Sequence, residues 1–117
     1  MGKTEWFIPD MYWAEEDNGS YVSHEAVCVL NTSDEDCLVD ITLYFSDREP
    51  VRCRQSICLA RRTNHIRTDQ LLLEDGSPIP RGVGYAGYVQ CSVPVIVQYT
   101  RVDTTQEPLA LMSTMAY

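Results

Sequence analysis

Residues 37–46 read Cys37-Leu38-Val39-Asp40-Ile41-Thr42-Leu43-Tyr44-Phe45-Ser46. Val39, Ile41, Leu43 and Phe45 take alternate positions, with Asp40, Thr42 and Tyr44 between them. A period of two marks a strand with one buried and one wet face, because successive side chains leave a pleated backbone on opposite sides. The same texture continues outward in both directions. Residues 23–31 precede the stretch across a polar turn at 32–36 and are rich in Val and Leu on both faces. Asp47-Arg48-Glu49-Pro50 is a turn, after which residues 51–60 read as a strand with Ile57 and Leu59 on one face and Arg52 and Arg54 on the other.

Residues 61–67 continue as a polar strand. Residues 69–80 form an irregular connection with one helical turn at Gln70-Leu71-Leu72, stopped by Gly76, Pro78 and Pro80. Residues 85–92 and 93–101 read as a late pair of strands. Pro94, which has no amide donor, belongs at a strand start or an edge. A short first strand at 3–8 ends at Pro9 and is followed by the acidic loop Glu15-Glu16-Asp17-Asn18-Gly19-Ser20, and 109–117 is a final apolar stretch. No window keeps a helical apolar period. Short strands at regular spacing, about 8–12 residues apart with turn signals between them, predict an all-β fold: an antiparallel β-sandwich of about seven or eight short strands.

The 117 residues (13.3 kDa) suit a single domain spanning 1–117. Seventeen acidic residues against nine basic ones give a net charge of -8. This argues against nucleic acid or an anionic membrane as the main partner, since both need a basic footprint. Residues 1–50 hold 12 acids and 2 bases, while residues 51–117 hold 5 acids and 7 bases. A site for a polar or anionic ligand is therefore expected in the second half. The five cysteines form no Cys-x-x-Cys pair and sit mostly among Val, Leu and Ile, as reduced structural thiols do. Met1-Gly2-Lys3-Thr4-Glu5-Trp6 has no apolar signal-peptide region, and no apolar run approaches a membrane span. The expected compartment is the cytoplasm.

In Arg61-Arg62-Thr63-Asn64-His65-Ile66-Arg67, strand alternation places Arg61, Thr63, His65 and Arg67 on one face, a set of donors for hydroxyl, carboxylate or phosphate groups. The bland reading is a solvated outer face. His24 and Glu25 are adjacent and so point to opposite faces. Trp6, Tyr12, Trp13, Tyr44 and Tyr99 are candidate stacking platforms, although aromatic residues in a small sandwich usually fill its core. Gln98, Arg101 and Asp103 follow the apolar run 93–97, where a strand turning polar can reach a pocket mouth. Catalytic motifs, phosphate-cradling glycine loops and a calcium-loop spacing around Asp34-Glu35-Asp36 are all absent. His24 and His65 have no metal-ligand spacing, so neither metal nor cofactor is expected.

A set of segments resembles the sensory rhodopsin transducer family. They are Ser23-His24-Glu25-Ala26-Val27-Cys28-Val29-Leu30-Asn31, Asp34-Glu35-Asp36, Ile41-Thr42-Leu43-Tyr44-Phe45-Ser46-Asp47-Arg48-Glu49-Pro50-Val51 and Ala60-Arg61-Arg62-Thr63-Asn64-His65-Ile66-Arg67. Pro78-Ile79-Pro80, Val93-Pro94-Val95-Ile96-Val97-Gln98-Tyr99-Thr100-Arg101 and Ala110-Leu111-Met112-Ser113-Thr114-Met115-Ala116-Tyr117 complete the set in the family's order. The first 22 residues match least, with Trp6 the clearest point of contact, and Cys53 and Cys58 depart from the pattern. The resemblance implies a small cytoplasmic β-sandwich that assembles as a homotetramer. Its founding member is a soluble transducer that binds a microbial sensory rhodopsin. Members without a rhodopsin have been proposed to sense sugars or related metabolites. A DNA-linked role suggested for the founding member is disfavoured here by the charge. The matching polar positions are Trp6, His24, Glu25, Arg61, Thr63, His65, Gln98 and Arg101, and these form the candidate ligand-binding set.

Three functions follow. The first is a non-enzymatic sensor that binds a small polar metabolite, a sugar or sugar acid, and relays a signal through protein contacts. The second is a transducer docking on the cytoplasmic side of a sensory rhodopsin with no small-molecule ligand, its acidic half meeting a basic tail. The third and least favoured is a metal-dependent enzyme using His24, Glu25 and His65.

Overall fold

The computed structural model describes residues 2–15, 17, 22–104 and 110–117. Among these, eight strands and no helix are present: β1 (Lys3–Tyr12), β2 (His24–Asn31), β3 (Cys37–Phe45), β4 (Val51–Arg52), β5 (Ser56–Cys58), β6 (Arg62–Arg67), β7 (Gly84–Asp103) and β8 (Ala110–Met115). Most of the predicted acidic loop at 15–20, and Leu109 of the predicted last strand, lie outside the described residues. No helix of the described residues is long and apolar enough to cross a membrane.

All pairings are antiparallel, and β7 organises them. Its first half lies between β1 and β3, with Trp6 opposite Val89 and Ile41 opposite Val89 from the other side. Its second half lies between β2 and β8, with Cys28 and Met115 both opposite Gln98. β4 and β5 extend the first layer beyond β3, and β6 extends the second beyond β2. The result is one antiparallel sheet curled over into two layers, the predicted all-β sandwich. The tail beyond β8 returns to β1, where Tyr117 N–H donates to Phe7 O at 2.9 Å.

The predicted pair of strands at 85–92 and 93–101 is this one 20-residue strand. Tyr85, Gly87, Val89, Cys91, Val95, Val97 and Tyr99 are all buried on its inner side, so the alternation never breaks. Pro94 sits mid-strand rather than at a start. The β3 ladder has ended at Cys91, and the β2 ladder begins at Ile96. A residue without an amide donor is tolerated there because the strand is changing partners and needs no ladder bond from it.

The strand predicted at 51–60 is likewise revised. Val51 pairs with Leu43 and Arg52 with Thr42, but Ser56 pairs with Val39 and Cys58 with Cys37, so the register slips by one residue between β4 and β5. Such a bulge exchanges the two faces of everything beyond it. Cys58 is consequently buried, while Ile57 and Leu59 are 45% and 52% exposed on the side that Arg52 also takes. The single helical turn exists slightly earlier than predicted, with Leu71 N–H donating to Arg67 O at 3.0 Å.

The core joins both layers through Trp6, Ile8, Met11, Val27, Val29, Val39, Ile41, Leu43, Val89, Val95, Val97 and Tyr99. All five cysteines are free thiols, only Cys28 being part-exposed. Burial pushes the Cys53 and Cys91 thiols up to about 12, which removes their nucleophilic form at neutral pH.

Candidate functional site

β2 shows how the predicted polar residues are distributed. Its inward row is Glu25, Val27, Val29 and Asn31, all fully buried, so an apolar middle is closed by a polar group at each end. Its outward row is His24, Ala26, Cys28 and Leu30. Glu25 is thus a core carboxylate. It accepts the Tyr12 N–H at 2.7 Å and the Thr68 hydroxyl at 3.1 Å, and also the hydroxyls of Tyr85 and Tyr99. Burial, and then the Glu25 charge, raises both tyrosines above the ordinary phenol range, so both remain donors. Arg101 extends the chain. Its Nε donates to the Tyr99 hydroxyl at 3.1 Å, while its outer nitrogen lies 3.3 Å from Asp10. Burial works against the Arg101 charge, but its hydrogen bond to Tyr99 and the nearby Asp10 outweigh that and hold its pKa above the usual value.

On the outer face of the second layer the topology brings together three members of the set. Thr63 lies opposite Leu30 and Leu30 opposite Ile96, while His65 lies opposite Cys28, and Cys28 opposite Gln98. A shallow trough of about 160 Å³ opens among Thr63, His65, Cys28, Ile96, Gln98 and Met115. Gln98 Nε2 donates to Ser113 Oγ at 2.6 Å and Thr63 Oγ1 to Val29 O at 3.1 Å. Arg67 shares this face but is turned to Asp69 at 2.7 Å, which raises its pKa against the cost of burial.

Arg61 shares no strand face with them, although with Leu30, Thr32 and Thr63 it lines a neighbouring depression of about 420 Å³. The expectation that Arg61, Thr63, His65 and Arg67 share a strand face fails at its first member, because Arg61 has φ 56° and lies in the turn before β6. Its guanidinium meets Asp34 at 2.7 Å, both side chains well exposed. A non-glycine residue pays about 1 kcal/mol for this left-handed conformation. Arg61→Gly is therefore expected to be more stable than Arg61→Ala by about 1 kcal/mol in urea unfolding, since both lose the ion pair and differ only in backbone freedom. Equal stability of the two variants would refute the strain.

Trp6 and His24 lie apart from both groups. Trp6 is a buried core residue whose indole N–H is shared between Lys3 O and Val95 O, each at 3.0 Å. His24 is half-buried, with Nδ1 3.0 Å from Val22 O. The eight residues thus fall into an internal network (Glu25, Arg101), an outer trough (Thr63, His65, Gln98) with Arg61 in the depression beyond its Thr63 end, and two separate positions (Trp6, His24).

Of the candidate stacking platforms, Trp13 and Tyr99 are buried like Trp6, and Tyr44 is 45% exposed. Tyr44 belongs to a feature that residue-by-residue reading missed. On the outer face of the first layer, Phe7 and Tyr88 stack with centroids 4.9 Å apart and planes 3° from parallel. Together with Tyr44, Pro9 and Ala86 they bound a cleft of about 510 Å³, larger than the trough. The signal available in the sequence was the alternation itself, which sends Phe7, Tyr44 and Tyr88 outward from three different strands; only the pairing of β1 and β3 with β7 makes them neighbours. Among the described residues no group of three or more His, Cys, Asp or Glu side chains is placed to hold a metal.

Fold and surface together define a small all-β module in which, among the described residues, every buried polar side-chain atom has a hydrogen-bond partner, with a cleft and a trough on its two outer sheet faces. The family model described as Anabaena sensory rhodopsin transducer matches residues 1–117, and the chain belongs to that family. The solved Anabaena sensory rhodopsin transducer is 43% identical, with a TM-score of 0.77, over 88% of this chain and 90% of that one. Thermotoga maritima 1070 is 33% identical with a TM-score of 0.86, over 99% of this chain and 94% of that one. A search of the curated proteins finds no significant match.

Proposed function

We propose that this chain is a non-enzymatic signal-relay module that docks on the cytoplasmic side of a microbial sensory rhodopsin and works there as a homo-oligomer, a tetramer. The observation that carries the reading is the whole-chain family match, together with 43% identity to a protein whose name is that of a rhodopsin transducer. The acidic balance, -8 overall, suits a basic docking partner and not a phosphate backbone. The outer sheet faces, with Phe7, Leu30, Tyr44, Leu111 and Met115 exposed, supply apolar surface for protein contacts. Isothermal titration of the chain into a sensory rhodopsin held in nanodiscs tests this. Saturable binding that weakens as salt rises is expected. No binding in darkness or light would remove the reading.

A second reading keeps a sugar or sugar acid as ligand at the trough, supported by the convergence of Thr63, His65 and Gln98 on one face. There, millimolar sugar acid should raise the melting temperature of the wild type and not of His65→Ala. The absence of any shift across a panel of sugars and sugar acids would dispose of it.

A further inference from the structure

We propose that the aromatic cleft of the first layer, with Glu5 at its rim, is the seat for an arginine or lysine side chain from a basic partner segment. This rests on the docking reading above and gives it a place on the surface. The cleft is open between Phe7, Tyr44 and Tyr88, and Phe7 remains 48% exposed. Its rings are already ordered. Phe7 and Tyr88 stack in near-parallel planes, and the Tyr88 hydroxyl donates to Glu5 Oε2 at 2.6 Å. A cation held against aromatic faces and beside a carboxylate gains from the ring quadrupole and from a charge-assisted hydrogen bond together.

The charges on this face favour such an occupant. Asp40 and Glu5 both lie opposite Gln90, one from β3 and one from β1. Asp40 is engaged by Arg52 at 3.5 Å and by Gln55. Lys3 places its ammonium 4.3 Å from the Trp6 ring. Glu5 makes no ion pair among the described residues, so its charge is left for a visitor. The strands that carry Glu5, Phe7 and Tyr44 belong to the acidic half of the chain, 12 acids against 2 bases. A second copy is the poorer occupant, because a two-fold contact through this face would set the same acidic rim against itself.

The test uses a short fluorescein-labelled peptide of Arg-Gly-Ser repeats and fluorescence polarisation on the whole chain. Glu5→Gln is expected to weaken binding about tenfold, and Phe7→Ala with Tyr44→Ala to abolish it. Asp34→Asn, which removes an equal charge on the β2–β3 turn, should cost less than about twofold. Tyr88→Phe keeps the rings and removes only the bond to Glu5, so it guards against loss through misfolding; a loss of about threefold is expected. The proposal is overturned if the wild type does not bind the peptide or if Asp34→Asn weakens it as much as Glu5→Gln. It is also overturned if the cleft variants change the oligomeric state and leave peptide affinity intact. In the rhodopsin titration, binding that survives Glu5→Gln and Tyr44→Ala overturns the site while the docking reading stands. Cleft-dependent peptide binding by a chain that binds no rhodopsin supports the site and removes only the photoreceptor.

Discussion

Replacing Glu25 by alanine lowers the unfolding free energy by about 3–5 kcal/mol, roughly 10–20 °C in melting temperature, the largest single-residue effect expected in this chain. The carboxylate is fully buried and accepts from the Tyr12 backbone, from Thr68 and from the phenols of Tyr85 and Tyr99. Alanine removes the acceptor of the three buried hydroxyls, leaves the Tyr12 N–H only the Tyr99 hydroxyl oxygen at 3.4 Å, and opens a cavity beside them. The groups joined belong to β1, β2, β7 and the turn after β6, so the loss is felt by both layers. Glu25→Gln keeps the shape but turns an amide donor toward hydroxyls that also donate, at a cost of about 2 kcal/mol. The mechanism has its own check. Glu25→Leu combined with Tyr85→Phe and Tyr99→Phe removes acceptor and donors together and should be more stable than Glu25→Leu alone. Urea unfolding of the four variants decides it. A Glu25→Ala protein within about 1 kcal/mol of wild type would mean that the network holds nothing together.

Asn31→Asp is expected to cost about 3 kcal/mol near neutral pH, from a change of one atom. Asn31 closes the other end of the β2 inner row. Its amide nitrogen donates to Glu35 O at 2.8 Å and Cys58 O at 3.1 Å, with Leu59 O at 3.4 Å, while its oxygen accepts from the Ser33 amide and hydroxyl. Aspartate would bring a negative charge against those carbonyl oxygens. The native fold would then favour the protonated acid, so the folded pKa rises above the unfolded one. Above that raised value the penalty is complete. It shrinks as pH falls and is gone below the unfolded pKa of about 4, leaving the variant closer to wild type in acid than at neutrality. Urea midpoints of both proteins across this range are the measurement. A gap that stays constant with pH, or widens in acid, would contradict the assigned orientation of the Asn31 amide.

Both predictions concern residues whose types were visible in the sequence but whose roles were not. Glu25 and Asn31 stand at the ends of an apolar run, where polar residues ordinarily meet solvent; here the strand is central, its Glu25 end covered by β1, β7 and the turn after β6 and its Asn31 end by the turn at 33–36 and the end of β5. The family resemblance selected Glu25 as a ligand-binding candidate, the strand pattern said only that it faces away from His24, and the structure gives it internal hydrogen-bonding partners. Alternation puts Thr63 and His65 on one strand face and Gln98 on the face away from Tyr99, but only β2 lying between β6 and β7 makes the three neighbours on the outer side. Arg61 was displaced by a left-handed turn that nothing in Ala60-Arg61-Arg62 signals, since glycine or asparagine is the usual marker. The bulge between β4 and β5 was hidden for a related reason: a one-residue slip leaves composition unchanged and reverses only which side chains face in.

The sequence by itself determined the all-β class, the acidic balance of the chain, the free thiols and the inward row of β3, because each follows from local periodicity, charge or composition. It also carried the family, since the quoted segments recur in order along the chain. Tertiary structure alone decided that one strand serves both layers, with Pro94 where its partners change, that Glu25 and Asn31 seal the core from opposite ends, and that Phe7, Tyr44 and Tyr88 form a cleft. The physical reason is that pairing between distant strands fixes which outward residues become neighbours, and that information belongs to register, not to the sequence of any one strand.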